Sequence, residues 1–334
     1  MPPPNSAKLA INHTNRAKPK LAIIVPFYNE EEIILKSLDV FLKELQSLQN
    51  EIDSTSFICF IDDGSKDKGA ILLKNAIANL NNVILISLDK NKGHQNALLC
   101  GYEFVSDKCD CAISIDCDLQ QDIKKMSDFL RAFKNGDEIV FGVRVDRKSD
   151  SVFKKLSAIL FYKMMNIFGA KIIKNHADYR LVSKRALTRI MQYSEVNLFL
   201  RGIVLDIGLK SSIVYFDVKK RELGKSKYNV KKMLSLALNG ITSFSSVPLR
   251  LIFIIGIIIS VISAILGIYG IIIAIFTDSA ITGWASIVVP IYFLGGIQML
   301  CLGVIGEYIG KVYSESKRRP RYTIKEIIDK TILS

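Results

Sequence analysis

Residues 21–48, LAIIVPFYNEEEIILKSLDVFLKELQSL, join a short unbroken apolar run to a longer run with helical periodicity. The first part, Leu21–Pro26, is apolar at every position, which is typical of a strand buried on both faces of a sheet. In the second part, Glu31–Leu48, apolar residues recur at three- and four-residue intervals, which predicts an amphipathic helix against that sheet. The stretch therefore predicts one strand–helix unit of an α/β fold.

The same alternation continues through residues 20–218. Further apolar runs that predict strands are Phe57–Ile61, Val83–Ile86, Ala112–Ile115 and Ile139–Phe141. Amphipathic stretches that predict helices are Asp67–Asn79, Gln95–Val105 and Ile123–Phe133. Strands and helices in this order build a mostly parallel sheet with right-handed crossovers. Ligands of such sheets bind beyond the carboxyl ends of the strands, so the residues that follow each strand are the candidates for a site.

The composition indicates a basic protein at a membrane surface. The 334 residues include 45 Lys and Arg against 32 Asp and Glu, a net charge of +13, yet 49% are hydrophobic. A nucleic-acid-binding protein of this charge is usually hydrophilic, and a disordered chain has far fewer apolar residues. The six cysteines show no paired framework, and Cys109-x-Cys111 lacks the second CxxC or His pair that a metal site would need. We interpret them as reduced thiols of a cytosolic domain.

Two long uncharged runs predict a membrane hairpin. Residues 251–277 and 279–306 contain no charged side chain, and each run exceeds the ~20 residues that cross a bilayer as a helix. Residues 219–232 hold seven Lys and Arg against one Glu, and residues 311–334 hold seven against three acids. The turn near Asp278 has no Lys or Arg, so the positive-inside rule predicts both termini in the cytoplasm.

These patterns divide the chain into five segments. We expect a disordered basic lead, a cytosolic α/β domain, a juxtamembrane basic and amphipathic segment, a transmembrane hairpin and a cytosolic basic tail, at residues 1–19, 20–218, 219–246, 247–310 and 311–334. The two spans are expected at about 251–276 and 286–308. The juxtamembrane helix is expected to lie on the anionic leaflet.

Polar residues follow three of the predicted strands. The first strand continues into Tyr28-Asn29-Glu30 and the second into Asp62-Asp63-Gly64-Ser65. Taken alone, these are also ordinary helix-start and turn sequences. The strongest signal is Asp116-Cys-Asp118-Leu-Gln120 after the fourth strand, because two carboxylates at i and i+2 and an amide oxygen can reach one hard cation. Mg²⁺ or Mn²⁺ prefers such ligands and shares its shell with substrate phosphates.

With these residues the chain resembles the inverting, GT-A type glycosyltransferases of family 2. The shared stretches are Val25-Pro26-x-Tyr28-Asn29-Glu30, Asp62-Asp63-Gly64-Ser65, Asp116-x-Asp118-x-Gln120, Gly142-x-Arg144, Asp178-Tyr179-Arg180 and Arg221-x-x-Gly224-x-Ser226-Lys227-Tyr228. Followed by a two-helix hairpin, this order is most similar to the bacterial polyprenyl-phosphate glycosyltransferases, relatives of dolichol-phosphate mannose synthase. The resemblance implies a GT-A nucleotide-sugar-binding domain, then a juxtamembrane helix and the hairpin.

The resemblance also implies roles for individual residues. The nucleoside would be contacted by Pro26, Tyr28, Glu30 and Asp63. The cation, Mg²⁺ or Mn²⁺, would be bound by Asp116, Asp118 and Gln120, and the catalytic residues would be Asp178 and Arg144. The acceptor phosphate would be bound by Arg180, Arg221, Lys225, Ser226, Lys227 and Tyr228. The basic stretch that holds most of these acceptor residues has an alternative interpretation, as positive-inside charge alone.

Three positions keep more than one interpretation. Asp178 is the proposed base of the family, and its alternative interpretation is an N-cap for a helix over 183–191. A phosphate acceptor with a second pKa of ~6 is largely dianionic at neutral pH, so we expect Asp178 to orient the acceptor as much as to accept a proton. His94 could be only a helix start. Gln121 departs from the acidic or His residue usual in relatives, and we expect it to leave the cation ligands alone.

By resemblance, the enzyme transfers a sugar, glucose or another hexose, from a UDP-linked donor to undecaprenyl or another polyprenyl phosphate with inversion. The product would be a lipid-linked donor for cell-envelope glycosylation. GDP-mannose or an aminoarabinose donor stays open, as does a non-catalytic membrane scaffold. A processive synthase would carry Gln-x-x-Arg-Trp, whereas the single tryptophan, Trp284, lies in the hairpin.

The expected location is the bacterial inner membrane, with several spans and both termini cytosolic. The expected partners are the nucleotide-sugar, the polyprenyl phosphate lipid, a separate flippase, a downstream glycosyltransferase and copies of the chain itself, with a tetramer suspected. Nucleic acid is not expected.

Overall fold

A computed structural model describes residues 18–145, 173, 175–195, 200–218, 249, 252–259, 261–262, 265 and 284–330. The strands in these residues are β1 Leu21–Phe27, β2 Phe57–Asp62, β3 Val83–Leu88, β4 Cys111–Ser114, β5 Ile139–Arg144, β6 His176–Ser183, β7 Ser211–Phe216 and β8 Ile324–Ile328. The helices are α1 Ile34–Ser47, α2 Gly69–Ala76, α3 His94–Val105, α4 Met126–Lys134, α5 Lys184–Ile190, α6 Leu200–Asp206 and α7 Trp284–Ser316.

The eight described strands form one sheet in the order β7-β5-β6-β4-β1-β2-β3-β8. The centre, β4-β1-β2-β3, is parallel as predicted, and β5 is parallel to β7. The sheet is nevertheless mixed, because β6 runs antiparallel to both β4 and β5, and β8 runs antiparallel to β3. The first residues of β6 therefore lie beside the carboxyl end of β4.

Both faces of the sheet are covered, which explains the unbroken apolar runs. Every residue of β1 is buried. Leu21, Ile23 and Val25 pack into the layer that contains α1, α2 and α4. Ala22 and Ile24 pack into the opposite layer, with α3, α5 and α6. Each fully buried aliphatic side chain of this kind stabilises the fold by roughly 1.5–3 kcal/mol.

The C-terminal segment returns to the sheet. β8 pairs with β3 in a register that places Ile328 opposite Leu85. Asp89 N donates to Thr323 O at 3.0 Å, and Tyr322 Oη donates to the Glu103 carboxylate on α3. The expectation of a basic tail over 311–334 did not anticipate this strand, because five residues with three isoleucines among charged neighbours are too short a pattern to predict one.

One helix in the described residues is long and apolar enough to cross a membrane, the segment Phe293–Ser316 within α7. α7 overlaps the predicted span at 286–308 and continues beyond its predicted end. Residues 252–259 of the other predicted span are helical. The whole juxtamembrane segment, residues 219–246, and much of the first span lie outside the described residues, so the two-helix hairpin stays a prediction.

Candidate active site

The carboxyl edge of the parallel strands brings the candidate residues together. Asp62 is the last residue of β2, and Asp63 follows it. Asp116 comes two residues after the end of β4. Asp178 lies near the start of β6, which the antiparallel pairing with β4 carries to this same edge. Arg144 is the last residue of β5 and reaches the same edge.

Two polar turns at this edge are joined by reciprocal hydrogen bonds. Asn29 N donates to Ser65 Oγ at 2.9 Å, and Lys66 N donates to Asn29 Oδ1 at 2.8 Å. Asn29 adopts a positive φ of 52°, a region that Asn tolerates better than most residues. The turns after β1 and β2 therefore form one unit. Next to Asn29, Tyr28 and Glu30 are half-buried.

Pro26 and Asp63, both predicted to contact a nucleoside, are buried. Pro26 lies inside β1. The Asp63 carboxylate accepts three hydrogen bonds from the β3–α3 loop, from Asn91 Nδ2 at 2.9 Å, Lys92 N at 2.7 Å and Gly93 N at 2.9 Å. Burial raises the pKa of Asp63, and the two backbone donors oppose that shift. Asp63 thus holds this loop in place, and its nucleoside contact stays a prediction.

The loop after β4 carries the predicted cation ligands. Leu119 has a positive φ of 55°, which turns the backbone sharply between Asp118 and Gln120. Gln120 N donates to Asp118 Oδ1 at 3.2 Å. Burial raises the pKa of Asp116, His94 opposes this shift, and the charges of Asp178 and Asp118 raise it further. The loop therefore gathers carboxylate charge at a partly buried position.

This donor set fits a hard divalent cation. Two carboxylates and one amide oxygen supply oxygen ligands only, the chemistry that Mg²⁺ and Mn²⁺ prefer. The described residues contain no group of three or more His, Cys, Asp or Glu side chains arranged to hold a metal ion. A cation at Asp116 and Asp118 would accordingly take further ligands from Gln120, from water and from the substrate.

The expectation that Gln121 leaves the cation ligands alone is wrong. Gln121 Nε2 donates to Asp116 Oδ2 at 2.7 Å, and Asp116 N donates to Gln121 Oε1 at 3.1 Å. The residue is only 3% exposed. Sequence reasoning treated position 121 as a helix entry, because nothing in the local pattern shows that the side chain folds back onto the preceding loop.

Asp178 is held by arginines and does not cap a helix. Arg201 Nε donates to its Oδ1 at 3.2 Å and Arg201 Nη2 to its Oδ2 at 2.8 Å, while Arg180 Nη2 also donates to Oδ1. The N-cap of α5 is Ser183, whose Oγ accepts from Ala186 N at 3.0 Å. The alternative interpretation of Asp178 as a helix cap is therefore wrong.

The surroundings of Asp178 make it a poor base. Burial alone would raise its pKa, but the charges of Arg201 and Arg180 and the hydrogen bond with His94 outweigh burial and hold the pKa well below its usual range. A carboxylate this stabilised in its ionised form has little tendency to take up a proton. The structure favours an orienting role for Asp178.

The predicted acceptor residues divide into two groups. Arg180 is fully buried behind Asp178, so its position fits the support of Asp178 better than direct contact with an acceptor. The other predicted acceptor residues, Arg221, Lys225, Ser226, Lys227 and Tyr228, lie outside the described residues. Arg201, which sequence reasoning missed, has a side chain 29% exposed on the open side of Asp178.

His94 lies between Asp116 and Asp178. Its Nε2 lies 3.6 Å from Asp116 Oδ1 and 3.5 Å from Asp178 Oδ2. Burial would lower its pKa, but the neighbouring Asp178 and Asp116 raise it above its ordinary value. The interpretation of His94 as a mere helix start was incomplete. Its place just beyond the end of β3, at the edge where ligands bind, was the available signal.

Acidic, basic and amide side chains gather at the carboxyl ends of the parallel strands, where α/β sheets of this kind bind their ligands. A sequence profile of glycosyl transferase family 2 matches residues 22–191. The chain belongs to this family, and it is a glycosyltransferase. The observed architecture agrees with the GT-A type that the motifs led us to expect.

Relatives match nearly the whole of this chain. An uncharacterized glycosyltransferase, YkoT, of Bacillus subtilis (strain 168) is 46% identical over 92% of each chain. A prophage bactoprenol glucosyl transferase homolog of Escherichia coli (strain K12) is 37% identical over 92% of this chain and 99% of its own. A bactoprenol glucosyl transferase of Shigella phage SfV is 38% identical over 92% of this chain and 98% of its own.

Proposed function

We propose that this enzyme transfers a hexosyl group, glucose in the first instance, from a UDP-linked donor to a polyprenyl phosphate with inversion. The observation that carries the proposal is the placement of Asp178, held by Arg201, beside Asp116 across His94. A site for a donor diphosphate thereby adjoins a site for a second anion. Relatives named bactoprenol glucosyl transferases support a polyprenyl acceptor and glucose as the sugar.

The chemistry requires no strong base. A phosphate oxygen of the acceptor forms a bond to C1 of the sugar, and the bond from C1 to the nucleotide diphosphate breaks with its electron pair. One displacement of this kind inverts the configuration at C1. Because a phosphate monoester has a second pKa of ~6, its attacking oxygen carries no proton at neutral pH. The low pKa of Asp178 is consistent with such a reaction.

Charge neutralisation is the main task of the site. Two arginines, Arg180 and Arg201, face the single carboxylate of Asp178, which leaves positive charge for an acceptor anion. Arg144, half-buried at the end of β5, lies close enough to lower the pKa of Asp116 and would face the donor phosphates. A Mg²⁺ or Mn²⁺ ion held by Asp116, Asp118 and Gln120 would neutralise the departing diphosphate.

The return of the chain to the sheet supports a two-span hairpin. Because β8 pairs with β3, the residues after α7 lie on the same side of any membrane as the catalytic sheet. If α7 crosses the membrane, its start at Trp284 lies on the far side. The chain must then cross an odd number of times between β7 and α7. The uncharged run at 251–277 is the segment suited to that crossing.

The test is transfer of radiolabelled sugar by the purified full-length protein in detergent. UDP-glucose and undecaprenyl phosphate should give a labelled lipid whose sugar has the opposite anomeric configuration. Asp116→Asn, Asp118→Asn or EDTA should abolish transfer, and Mg²⁺ or Mn²⁺ should restore activity to the EDTA-treated enzyme. GDP-mannose and an aminoarabinose nucleotide are run in parallel. If no donor is transferred or hydrolysed with an added cation, the protein is a scaffold and the proposal is wrong.

A further inference from the structure

Gln121 forms two side-chain hydrogen bonds with Asp116 of the site. Both ends of its amide bind Asp116, the oxygen accepting from the backbone N–H and the nitrogen donating to Oδ2 of the carboxylate. Rotating the amide by half a turn would place its NH₂ against an N–H and its oxygen against a carboxylate. The two bonds therefore fix one orientation of the amide, and the amide fixes one orientation of the carboxylate.

The backbone of Gln121 is anchored from a distant part of the chain. It forms an antiparallel bridge with Val218, two residues after the end of β7. The side chain is buried as well, so the amide has little freedom to swing away from Asp116. Neither anchor is needed for a simple entry into the turn that precedes α4. Together they hold a neutral hydrogen-bond donor against the Asp116 carboxylate.

The neutral charge of the amide is part of the arrangement. Asp116, Asp118 and Asp178 already place three carboxylates at this edge, with His94 between two of them. An acidic side chain at position 121 would add a fourth at hydrogen-bond distance from Asp116. An amide of the same length donates to the carboxylate without adding charge. It thereby leaves the negative charge of Asp116 available to a cation.

We propose that Gln121 is the positioning residue of the cation site, holding the Asp116 carboxylate in the orientation that binds the ion. The inference rests on the proposed function, because it requires a divalent cation at Asp116 and Asp118. Partners that orient a metal ligand in this way usually change metal affinity or activity by 10–100-fold when they are removed. Gln121 itself has no contact with the cation in this arrangement.

The experiment measures Mn²⁺ binding to the full-length protein in detergent, from the electron paramagnetic resonance signal of free Mn²⁺. Gln121→Leu keeps the volume and removes both hydrogen bonds, and Gln121→Met, which is unbranched, is measured in parallel. Both should raise the Mn²⁺ Kd about 10–100-fold. Saturating Mn²⁺ should restore most of kcat, because the substitution changes the affinity of the site and leaves the reacting groups in place. The melting temperature of each variant is recorded.

Asp118→Asn separates the possible failures. If Asp118→Asn binds Mn²⁺ as tightly as the parent protein, the cation site of the proposed function is wrong. If Asp118→Asn loses Mn²⁺ while both Gln121 variants bind it with the parent Kd, the cation site stands and the positioning role is refuted. A lower melting temperature with an unchanged Kd also refutes it, since it would make Gln121 a purely structural residue.

Discussion

Arg201 on α6 donates two hydrogen bonds to the carboxylate of Asp178 on β6, one from Nε and one from Nη2. This side-on pairing uses both oxygens of the carboxylate, a geometry that arginine provides and lysine does not. Arg201 is partly exposed while Asp178 is almost buried, so the pair presents positive charge outward. The site consequently offers an incoming anion a guanidinium in front of a fixed carboxylate.

Removal of Arg201 should destabilise the protein most at neutral pH. With its depressed pKa, Asp178 contributes stability that is complete above the ordinary value of ~3.9 and is lost only as the pH falls through the depressed value. In Arg201→Ala, burial raises that pKa, so the carboxyl takes up a proton as the pH falls towards 4. The difference in melting temperature from the parent should therefore be largest at pH 7 and shrink towards pH 4.

Arg185→Ala is the matched control, because Arg185 lies on α5 with its side chain 63% exposed and makes a long contact of 3.5 Å with Glu138. It should show no pH-dependent difference. Compared with Arg201→Ala, Arg201→Lys should regain part of the lost stability but little of the affinity for the acceptor. Lysine cannot bind both oxygens of the Asp178 carboxylate side-on. A pH-independent loss in Arg201→Ala would contradict the depressed pKa.

Gly64→Ala should destabilise the turn after β2. Gly64 has a φ of +65°, and a Cβ there would lie 2.5 Å from the backbone carbon of Lys90. Backbone cannot move aside as a side chain can, so the cost should exceed the ~1–3 kcal/mol of conformational strain alone. Gly93→Ala is the control, since Gly93 has a φ of +88° with nothing within 4 Å of its Cβ position. Urea denaturation should rank Gly64→Ala as clearly the less stable.

Deletion of residues 318–334 should uncover the edge of β3. In the parent protein, β8 pairs with this edge of β3. A strand edge without such a neighbour is prone to pair with other chains. We expect aggregation in detergent and a lower melting temperature, measured by size-exclusion chromatography and thermal denaturation. Deletion of residues 331–334 alone, beyond β8, should have no effect. A monodisperse, stable protein after the longer deletion would show that β8 is dispensable.

Membrane topology is tested by single cysteines at two positions. Ser279→Cys lies in the turn between the predicted spans and Lys325→Cys lies on exposed β8, both in a Cys301→Ser background. An impermeant thiol reagent applied to intact cells should label position 279 and spare position 325, and lysed cells should label both. Labelling of 325 without 279 in intact cells would invert the orientation.

Substitutions in the basic stretch at 219–232 distinguish an acceptor clamp from a topological charge cluster. Arg221→Ala and Lys227→Ala should each raise the acceptor KM about ten- to a hundredfold in detergent, the usual effect of losing a charge-assisted phosphate contact. The nucleotide Kd should not change. Lys231→Ala, in the same stretch but outside the proposed clamp, should leave both constants unchanged. If Arg221→Ala and Lys227→Ala also leave the acceptor KM unchanged, the stretch serves topology alone.

Strands buried on both faces were the most predictable elements. The ends of β1 to β5 lie within three residues of their predicted positions. A short continuous apolar run in an α/β protein usually forms a strand buried on both faces. β6 was missed, since His176, Asp178 and Arg180 interrupt its apolar pattern with polar side chains directed to the site. β8 was missed because it is a short, largely exposed edge strand.

The motif residues of the site were found from the sequence, and their partners were not. Asp116 and Asp178 stand at recognisable positions after or beside strands. Arg201 and His94 reach them from other elements of the fold, and the Gln121 side chain folds back onto Asp116 within one loop, a contact that the residue pattern does not reveal. Arg201, for example, reaches Asp178 from a helix that the sequence pattern does not distinguish from others.

The pairing of Leu85 with Ile328 sets an order of assembly. A chain is synthesised from its N-terminus, so β8 leaves the ribosome last of the eight strands and only after α7. Until then β3 has an open edge, and a contact between such distant positions forms slowly because a long loop must close first. The catalytic sheet is therefore completed only after the long apolar helix has been made.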